Sequence, residues 1–328
     1  MSHGNYPFID KSFENLAIKL FKHQARENKI YKTWLESLGW GDEKINAIDT
    51  LTSIPFLPIT AFKSQKVVTG SFTPDTVYTS SGTINSQHFV SNKNIYLRNA
   101  RMCFESFYGP VKDYAWLCLL PGYLDRSGSS LIDMAEYFVS ISNHSESGFF
   151  VKGIDELKYR LENLDLNRVP TILLGVTFAL IDLAESIKNP MNLNHTIIME
   201  TGGMKGRREE PIREELHHKL NSSFGTKEIH SEYGMTELLS QAYSFKDGMF
   251  STPAQMLVLP RSIETPLLLS NVGEICGLNI IDLANSDSCA FLATDDMGKV
   301  HENGNFEVLG RIYGSDQRGC SLLSINSN

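Results

Sequence analysis

The sequence predicts an α/β fold in which helices cover a largely parallel β-sheet and a β-rich subdomain follows. From residue 77 to about residue 250, short apolar runs typical of buried strands alternate with stretches of helical periodicity. Several of these runs end in glycine or hydroxyl residues before the next helix begins, a pattern typical of strand–loop–helix units in parallel sheets. After about residue 250, short strands and turns replace the alternation and indicate antiparallel pairing.

The elements follow in order along the chain. "SFENLAIKLFKHQARE" (12–27) has apolar residues at helical spacing, with Ser12 as its expected N-cap, whereas Pro55 and Pro58 predict a connector over 54–63. The remaining expected helices cover 92–108, about 131–142, 178–188 and 208–220. The expected parallel strands cover 113–122, 170–177, 195–203 and 227–234. Functional residues are expected where these strands end.

Composition and charge limit the class of protein. The chain has 328 residues, more than a typical single core, and a net charge of −8 from 30 Lys and Arg against 38 Asp and Glu. With no long basic run, it indicates no nucleic-acid partner. The most apolar segment (172–181) is too short for a transmembrane segment, and the N-terminus lacks the pattern of a secretory signal. The five cysteines form no CxxC motif, so we expect a cytoplasmic protein.

Two loops carry residues suited to binding a nucleotide. "YTSSGTINSQHF" (78–89) joins a strand to a helix and offers hydroxyl and backbone N–H donors for phosphate, or it is simply a polar turn. "METGGMKGR" (199–207) ends a strand in two glycines, where a flat ring or a phosphate can approach the backbone, or it is a tight turn. The candidate residues in these loops are Thr79, Ser80, Ser81, Gly82, Thr83, Gly202 and Gly203.

Two later segments carry carboxylates suited to binding magnesium and ribose. In "HSEYGMTELL" (230–239), Tyr233 can stack on a base, Thr236 can donate to a phosphate, and Glu237 can hold Mg²⁺; the alternative is a helix start. "FLATDDMG" (291–298) ends its expected strand in Asp295 and Asp296, which suit ribose hydroxyls; the alternative is a hairpin turn. "LGRIYGSD" adds a basic side chain near a turn.

These five motifs, in this order over residues 80–311, resemble the adenylate-forming enzymes: acyl-CoA synthetases, luciferases and peptide-synthetase adenylation domains. "ETGGMKGRREE" and "GRIYGSDQRGCSLL" further resemble the acyl-protein synthetase component of the fatty-acid reductase complex of luminous bacteria. The resemblance implies an adenylate-forming N-terminal-type domain of helix-covered β-sheets over 1–309, with ATP and Mg²⁺ as cofactors. It also implies activation of a fatty acid or other carboxylic acid as acyl-AMP, transfer to a cysteine, and delivery to an acyl-CoA reductase-like partner.

Carried over by position, the resemblance assigns roles to this chain's own residues. The loop residues Ser80 to Thr83 would bind ATP phosphates, Gly202 and Gly203 would line the adenine, and Tyr233, Gly234, Thr236 and Glu237 would contact adenine, phosphate and magnesium. Asp296, with Asp295 and Arg311, would bind the ribose, and Cys320 on a short arm (310–328) would accept the acyl group. Arg318, two residues earlier, is expected to lower the pKa of that thiol.

The chain also departs from the superfamily pattern. The usual phosphate loop continues through glycines to a lysine, which "SSGTINSQHF" lacks, so Lys205, Arg207 and Arg208 are candidates to compensate. The chain ends 17 residues after Arg311, so the usual C-terminal lysine-bearing domain is expected to be lacking, as in acyl-protein synthetases.

The sequence is also compatible with other functions. A short acyl- or aryl-CoA ligase would pass the acyl group to CoA, and a catalytically weak acyl-carrier or regulatory homologue would keep only the fold. Cys320 can instead be a buried strand residue, and the other cysteines, Cys103, Cys118, Cys276 and Cys289, lie in apolar runs expected in the core. His217 and His218 are expected to be solvated on a charged helix, and His230 to be structural.

Overall fold

A computed structural model describes residues 6–80, 85–121, 128–150, 153–202 and 212–312. The described residues form two compact units. The first unit combines residues 6–99, 234–240 and 251–312, and the second combines residues 100–233 and 241–250. In the described residues, no helix is long and apolar enough to cross a membrane.

The helices of the described residues follow the expected order. They are α1 (Lys11–Glu27), α2 (Lys29–Ser37), α3 (Asp42–Ala47), α4 (Ala61–Ser64), α5 (Lys93–Tyr108), α6 (Ser130–Ile141), α7 (Ile154–Leu166), α8 (Thr177–Glu185) and α9 (Arg213–Phe224). The expected helices over 12–27, 92–108, 131–142 and 178–188 are thus confirmed as α1, α5, α6 and α8. The expected helix over 208–220 is confirmed as α9 from Arg213 onward, and residues 208–211 lie outside the described residues.

The strands divide between the two units. The second unit contains β4 (Ala115–Leu119), β5 (Gly148–Phe149), β6 (Thr171–Val176), β7 (Thr196–Thr201), β8 (Ile229–Tyr233), β9 (Ala242–Ser244) and most of β10 (Met249–Ser251). The first contains β1 (Leu57–Pro58), β2 (Thr76–Thr79), β3 (Gln87–Val90), β11 (Met256–Arg261), β12 (Ile275–Asp282), β13 (Phe291–Val300) and β14 (Phe306–Arg311).

The sheet of the second unit is mainly parallel, as the alternation of strands and helices predicts. Its strand order is β9-β8-β7-β6-β4-β5, and every pair from β8 to β5 is parallel. Because parallel strands end at the same edge, the last residues of β6, β7 and β8 lie side by side there. Gly175 in β6 permits close packing of α8, since a Cβ at this position would lie 2.6 Å from Leu180 Cδ2.

The first unit contains the β-rich portion. Strands β11, β12, β13 and β14 pair antiparallel in that order, and β1 pairs parallel with the beginning of β13. Separately, β2 and β3 form an antiparallel hairpin. Helix α1 packs on this portion through Phe21, whose ring centroid lies 5.8 Å from that of Phe291.

Three local expectations are wrong. Asp10, not Ser12, is the N-cap of α1, because its side chain accepts from the backbone N–H of Ser12 at 2.8 Å and of Phe13 at 3.1 Å. The expected connector over 54–63 contains β1 and the start of α4; Pro58 is accommodated at the end of a two-residue strand. Asp295 and Asp296 lie in the middle of β13, because pairing with β14 extends this strand to Val300.

Candidate functional site

Two hydrogen bonds between Ser80 and Ser86, which we call the clasp, join the ends of the expected phosphate loop between β2 and β3. Thr79 pairs with Gln87 in the hairpin register. Just beyond, the Ser80 backbone N–H donates to the Ser86 carbonyl (3.1 Å), and Ser80 Oγ accepts from the Ser86 N–H (2.8 Å). Ser81, Gly82 and Thr83 lie outside the described residues. The clasp brings the two ends of the loop together.

The segment 234–240, which belongs to the same unit, turns without forming a helix. Thr236 is half-buried, and Glu237 is 1% exposed. The helix-start alternative for Thr236 and Glu237 is therefore wrong. A backbone hydrogen bond from the Leu238 N–H to the Met235 carbonyl (3.0 Å) closes the turn around these two residues.

Four buried or half-buried side chains bind the backbone of this turn; we call His88, Asn99, Asp282 and Asn285 the polar cradle. His88 Nδ1 lies 2.8 Å from the Thr236 carbonyl oxygen, Asn285 Nδ2 donates to the Glu237 carbonyl (2.9 Å), and Asn99 Nδ2 donates to the Leu239 carbonyl (2.7 Å). Asp282 Oδ2 accepts from the N–H groups of Leu239 (2.8 Å) and Ser240 (3.0 Å). Buried backbone polar groups need such partners, so the cradle fixes the conformation of the turn.

Burial shapes the ionisation of two cradle residues. It lowers the pKa of His88 below its usual range, against the opposing effects of the Thr236 hydrogen bond and of Glu237, so the imidazole is neutral near pH 7. Burial also raises the pKa of Asp282, an effect that the hydrogen bonds from Ser240 and Leu239 oppose.

Asp296 and Arg311 occupy facing positions on β13 and β14. They are direct partners in the strand register, and Arg311 Nε lies 3.5 Å from Asp296 Oδ1. Asp296 is 1% exposed, and its backbone N–H donates to the Thr294 hydroxyl at 3.2 Å. A carboxylate and a guanidinium are thus held close together on two neighbouring strands. Asp295, its neighbour in sequence, is half-buried.

A second group of polar side chains lies at the ends of β7 and β8 in the other unit. Glu200 Oε1 accepts from the Ser231 hydroxyl (2.9 Å) and lies 3.3 Å from Arg213 Nη1. Glu200 Oε2 lies 2.9 Å from the Thr177 hydroxyl, which is also within hydrogen-bond distance of the Gly202 carbonyl. Gly202, the first of the expected adenine-lining glycines, has φ +70°; Gly203 lies outside the described residues.

The two glutamates at these strand ends differ in ionisation. Burial favours the neutral form of Glu200, but His217, Arg213 and Thr177 together outweigh it and lower the pKa of Glu200. Burial raises the pKa of Glu232 to about 7; the Thr201 hydroxyl, which donates to Glu232 Oε2, opposes this shift and the Glu200 charge adds to it. The Glu232 carboxyl is therefore partly protonated near neutral pH.

Two histidines and one tyrosine of this unit also have defined surroundings. His217 is 8% exposed and interacts with Glu200, so the expectation that it is solvated is wrong: α9 turns this position toward β7. His230 Nδ1 lies 3.0 Å from the Tyr108 hydroxyl, and burial lowers its pKa to about 4, which fits the structural role expected for it. Tyr233 is 6% exposed, and its ring centroid lies 5.8 Å from that of Phe250.

The four described cysteines are all buried, as expected from their apolar surroundings. Burial raises the pKa of the thiols of Cys118 and Cys289 to about 12 and of Cys276 to about 11. None of these thiols is therefore available as a thiolate near pH 7. The expected acceptor Cys320, its neighbour Arg318, and the candidate loop cations Lys205, Arg207 and Arg208 lie outside the described residues.

The sequence patterns miss several residues that hold this site. His88 lies inside the loop segment 78–89, but nothing in the sequence relates it to Thr236, 148 positions away. Asp282 and Asn285 likewise act on a turn more than 40 residues earlier in the chain. Glu200 and Glu232 do leave a signal in the sequence, since each is a carboxylate within the last four residues of a predicted parallel strand, and each is next to the last residue of the observed strand.

Glu237 supplies the one carboxylate of the turn over residues 234–240. No group of three or more His, Cys, Asp or Glu side chains suited to a metal occurs within the described ranges. Mg²⁺ commonly binds one or two carboxylates and takes its other ligands from substrate phosphates and water, so Glu237 fits this role.

Comparison with solved structures identifies the fold. ATP-bound MatB from Rhodopseudomonas palustris aligns with 72% of this chain at 16% identity, with a TM-score of 0.55. A 2-hydroxyisobutyryl-CoA ligase, in an open conformation with 2-HIB-AMP and CoA, aligns with 93% of this chain and 70% of its own at 13% identity, with a TM-score of 0.65. The synthetase MenE from Bacillus subtilis, with AMP, covers 73% of this chain and 50% of its own at 18% identity, with a TM-score of 0.53.

These likenesses confirm the expected fold class, the helix-covered sheets and β-rich portion found in adenylate-forming ligases. The chain spans 47% of the length of MatB, about half. No protein-family model and no curated protein sequence matches the chain. At these low identities the comparisons establish the fold alone.

Proposed function

We propose that this protein activates a carboxylic acid with ATP to give acyl-AMP and pyrophosphate. The observation that carries the proposal is the turn holding Thr236 and Glu237, which the polar cradle fixes through its backbone. This turn occurs in a fold shared with ligases whose structures contain ATP, AMP or an acyl-AMP. A fixed hydroxyl and carboxylate suit phosphoryl transfer, in which catalysis consists mainly of positioning and charge stabilisation.

We assign the residues that would hold the nucleotide by the order of the motifs in the sequence. Asp296, with Asp295 and Arg311, would bind the ribose hydroxyls, and Tyr233, Gly234, Gly202 and Gly203 would line the adenine. Thr79, Ser80, Ser81, Gly82, Thr83 and Thr236 would donate to phosphate oxygens. Mg²⁺, held by Glu237 and the phosphates, would supply charge neutralisation.

The chemistry requires an in-line displacement. An oxygen of the substrate carboxylate attacks the α-phosphorus of ATP, a new O–P bond forms, and the bond to the bridging oxygen breaks to release pyrophosphate. Negative charge builds on the phosphoryl oxygens in the transition state, where hydroxyl and backbone N–H donors stabilise it. The resulting acyl-AMP has a good leaving group at its carbonyl carbon.

We further propose that Cys320 accepts the acyl group. Its thiolate would attack the acyl carbon, forming a C–S bond as the C–O bond to AMP breaks, and Arg318 would lower the thiol pKa. Elimination supports this choice, because the other four of the five cysteines are buried. A long-chain fatty acid as substrate, an acyl-CoA reductase-like partner and a cytoplasmic location belong to the same proposal.

One observation favours a second candidate, an acyl- or aryl-CoA ligase. The 2-hydroxyisobutyryl-CoA ligase that shares this fold was solved with CoA bound. In that case CoA, rather than Cys320, would take the acyl group. A carrier or regulatory homologue, motivated by the loop without lysine, would bind the acid and turn over poorly.

Acid-dependent ATP–pyrophosphate exchange tests adenylation. We expect exchange that requires Mg²⁺ and one class of carboxylic acid; a folded protein that gives no exchange with fatty, aryl or short-chain acids would contradict the proposal. Intact-protein mass, measured after ATP, Mg²⁺ and acid are added to the wild type and Cys320→Ser, then identifies the acceptor. A hydroxylamine-sensitive adduct on the wild type alone supports Cys320, whereas transfer to added CoA supports the ligase.

A further inference from the structure

His88 is buried among the described residues. It is 1% exposed on β3, and its ring packs edge-on against Phe62, with centroids 5.6 Å apart. A carbonyl oxygen can only accept a hydrogen bond, so Nδ1 carries the proton that reaches Thr236. Nε2 of the neutral ring then accepts from the Ser288 hydroxyl at 3.0 Å. Both ring nitrogens are thus committed to protein partners.

Further hydrogen bonds fix both the β2–β3 hairpin, which carries His88, and Ser288, which contacts its ring. His88 pairs with Tyr78 in the β2–β3 hairpin, directly after the clasp that closes the phosphate loop. On the other side, the Ser288 carbonyl accepts from Asn28 Nδ2 at 2.8 Å and from Gln24 Nε2 at 3.3 Å. A ring fixed at two points in this way determines where its Nδ1 hydrogen points.

Nδ1 of His88 acts on the peptide group that joins Thr236 to Glu237. The carbonyl of Thr236 is one half of this peptide, and Asn285 holds the carbonyl of Glu237 from another direction. The placement of that peptide sets where the hydroxyl of Thr236 and the carboxylate of Glu237 can reach. Removing the histidine donor would leave a carbonyl without this partner and free the peptide to rotate.

We propose that His88 is a positioning residue for adenylation, which ties the strand leaving the phosphate loop to the Thr236–Glu237 peptide and so aligns these two parts of the site. This inference rests on the proposed function. It also means that His88 does not replace the missing loop lysine as a phosphate ligand, because both of its nitrogens are occupied within the protein.

The test compares His88→Asn with His88→Gln in ATP–pyrophosphate exchange. The amide of Asn lies as far along the side chain as Nδ1 and can donate to Thr236, whereas the amide of Gln lies at the distance of Nε2 and favours Ser288. We expect His88→Asn to keep kcat within about threefold and His88→Gln to lose roughly 10- to 100-fold, the scale of a displaced catalytic group. KM for ATP should change less than kcat, because alignment in the transition state is what is lost.

Phe21→Leu serves as the control for stability, since it weakens the core of the same unit without contacting the turn. Hydrogen exchange of the backbone over residues 235–240 provides an independent readout and should be faster in the Gln variant than in the Asn variant. Equal kcat for the Asn and Gln variants, or a loss no greater than that of Phe21→Leu, would overturn the inference while wild-type exchange upholds the proposed function. A wild type without exchange would overturn the proposed function and the catalytic part of this inference together.

Discussion

Asp296 and Arg311 form a buried pair of opposite charges on neighbouring strands. Their strands place them opposite each other, and both side chains are largely buried, at 2% and 13% exposure. A carboxylate in these surroundings is a strong acceptor for hydroxyl groups, because charged acceptors form the stronger hydrogen bonds. Replacing Asp296 therefore tests the proposed recognition of the ribose directly.

Asp296→Asn should lower kcat/KM for ATP by about 10- to 100-fold, the effect of losing hydrogen bonds to a charged group worth about 1.5–3 kcal/mol. Steady-state pyrophosphate exchange at varied ATP measures this change. Glu307→Gln is the matched control, since its carboxylate lies on the same hairpin but bonds to His301 Nε2 at 2.7 Å. Equal loss in the two variants would argue against a ribose role for Asp296.

Glu232 should make stability depend on pH. Burial raises its pKa from 4.5 to about 7, so folding favours the protonated form; this contribution is complete below pH 4.5 and is lost as pH rises toward 7. Glu232→Gln, which mimics the protonated acid, removes that dependence. The unfolding free energy of the variant relative to the wild type should rise by about 3 kcal/mol between roughly pH 5 and pH 8.

Urea unfolding at the two pH values measures this difference. Glu228→Gln changes an exposed carboxylate just before the same strand and should follow the wild type at both pH values. If the Glu232 and Glu228 variants show the same pH dependence, Glu232 is already ionised in the folded protein at low pH.

At the scale of elements, the β13–β14 hairpin aligns the charged pair through a close approach of two backbones. The register shifts between Met297 and Gly298, next to Asp296. A Cβ added at Gly298 would lie 2.1 Å from the Glu307 carbonyl oxygen and 3.0 Å from Leu278 Cδ2. Since a backbone atom cannot move aside as a side chain can, only glycine fits here.

Gly298→Ala should lower the unfolding free energy by roughly 1–3 kcal/mol, the usual cost of overpacking, and should also reduce exchange activity by displacing Arg311 from Asp296. Denaturant unfolding and pyrophosphate exchange measure the two effects. Gly148→Ala, at a position with no atom within 4 Å of the added Cβ, should stay within about 0.5 kcal/mol of the wild type. A stable Gly298 variant would show that the hairpin tolerates a different register.

The elements also show what sequence patterns can predict. The buried runs of β4, β6 and β7 and the helices between them follow from hydrophobic periodicity, because each element buries one face or all of its length. The polar cradle does not follow from it. His88, Asp282 and Asn285 act across long sequence separations, and a polar residue within a strand or loop carries no sign of the partner it will meet.

At the scale of the whole chain, the reactivity of the cysteines tests the proposal that Cys320 is the acyl acceptor. Four of the five are buried, and the pKa of Cys118, Cys276 and Cys289 is raised to about 12, 11 and 12. We expect a thiol reagent to label one equivalent in the native protein and five after denaturation. The native signal should disappear in Cys320→Ser; its persistence would point to a different reactive thiol and against Cys320 as acceptor.

Direct detection of acyl-AMP tests the central claim. The protein is incubated with ATP, Mg²⁺ and a panel of carboxylic acids, quenched, and analysed by mass spectrometry for acyl-adenylate and pyrophosphate. Adenylation of a carboxylic acid predicts equal amounts of both products with at least one acid, none without acid, and much less with Asp296→Asn. A folded wild-type protein that forms no acyl-AMP with any acid, or that releases phosphate from ATP without an adenylate, would contradict it.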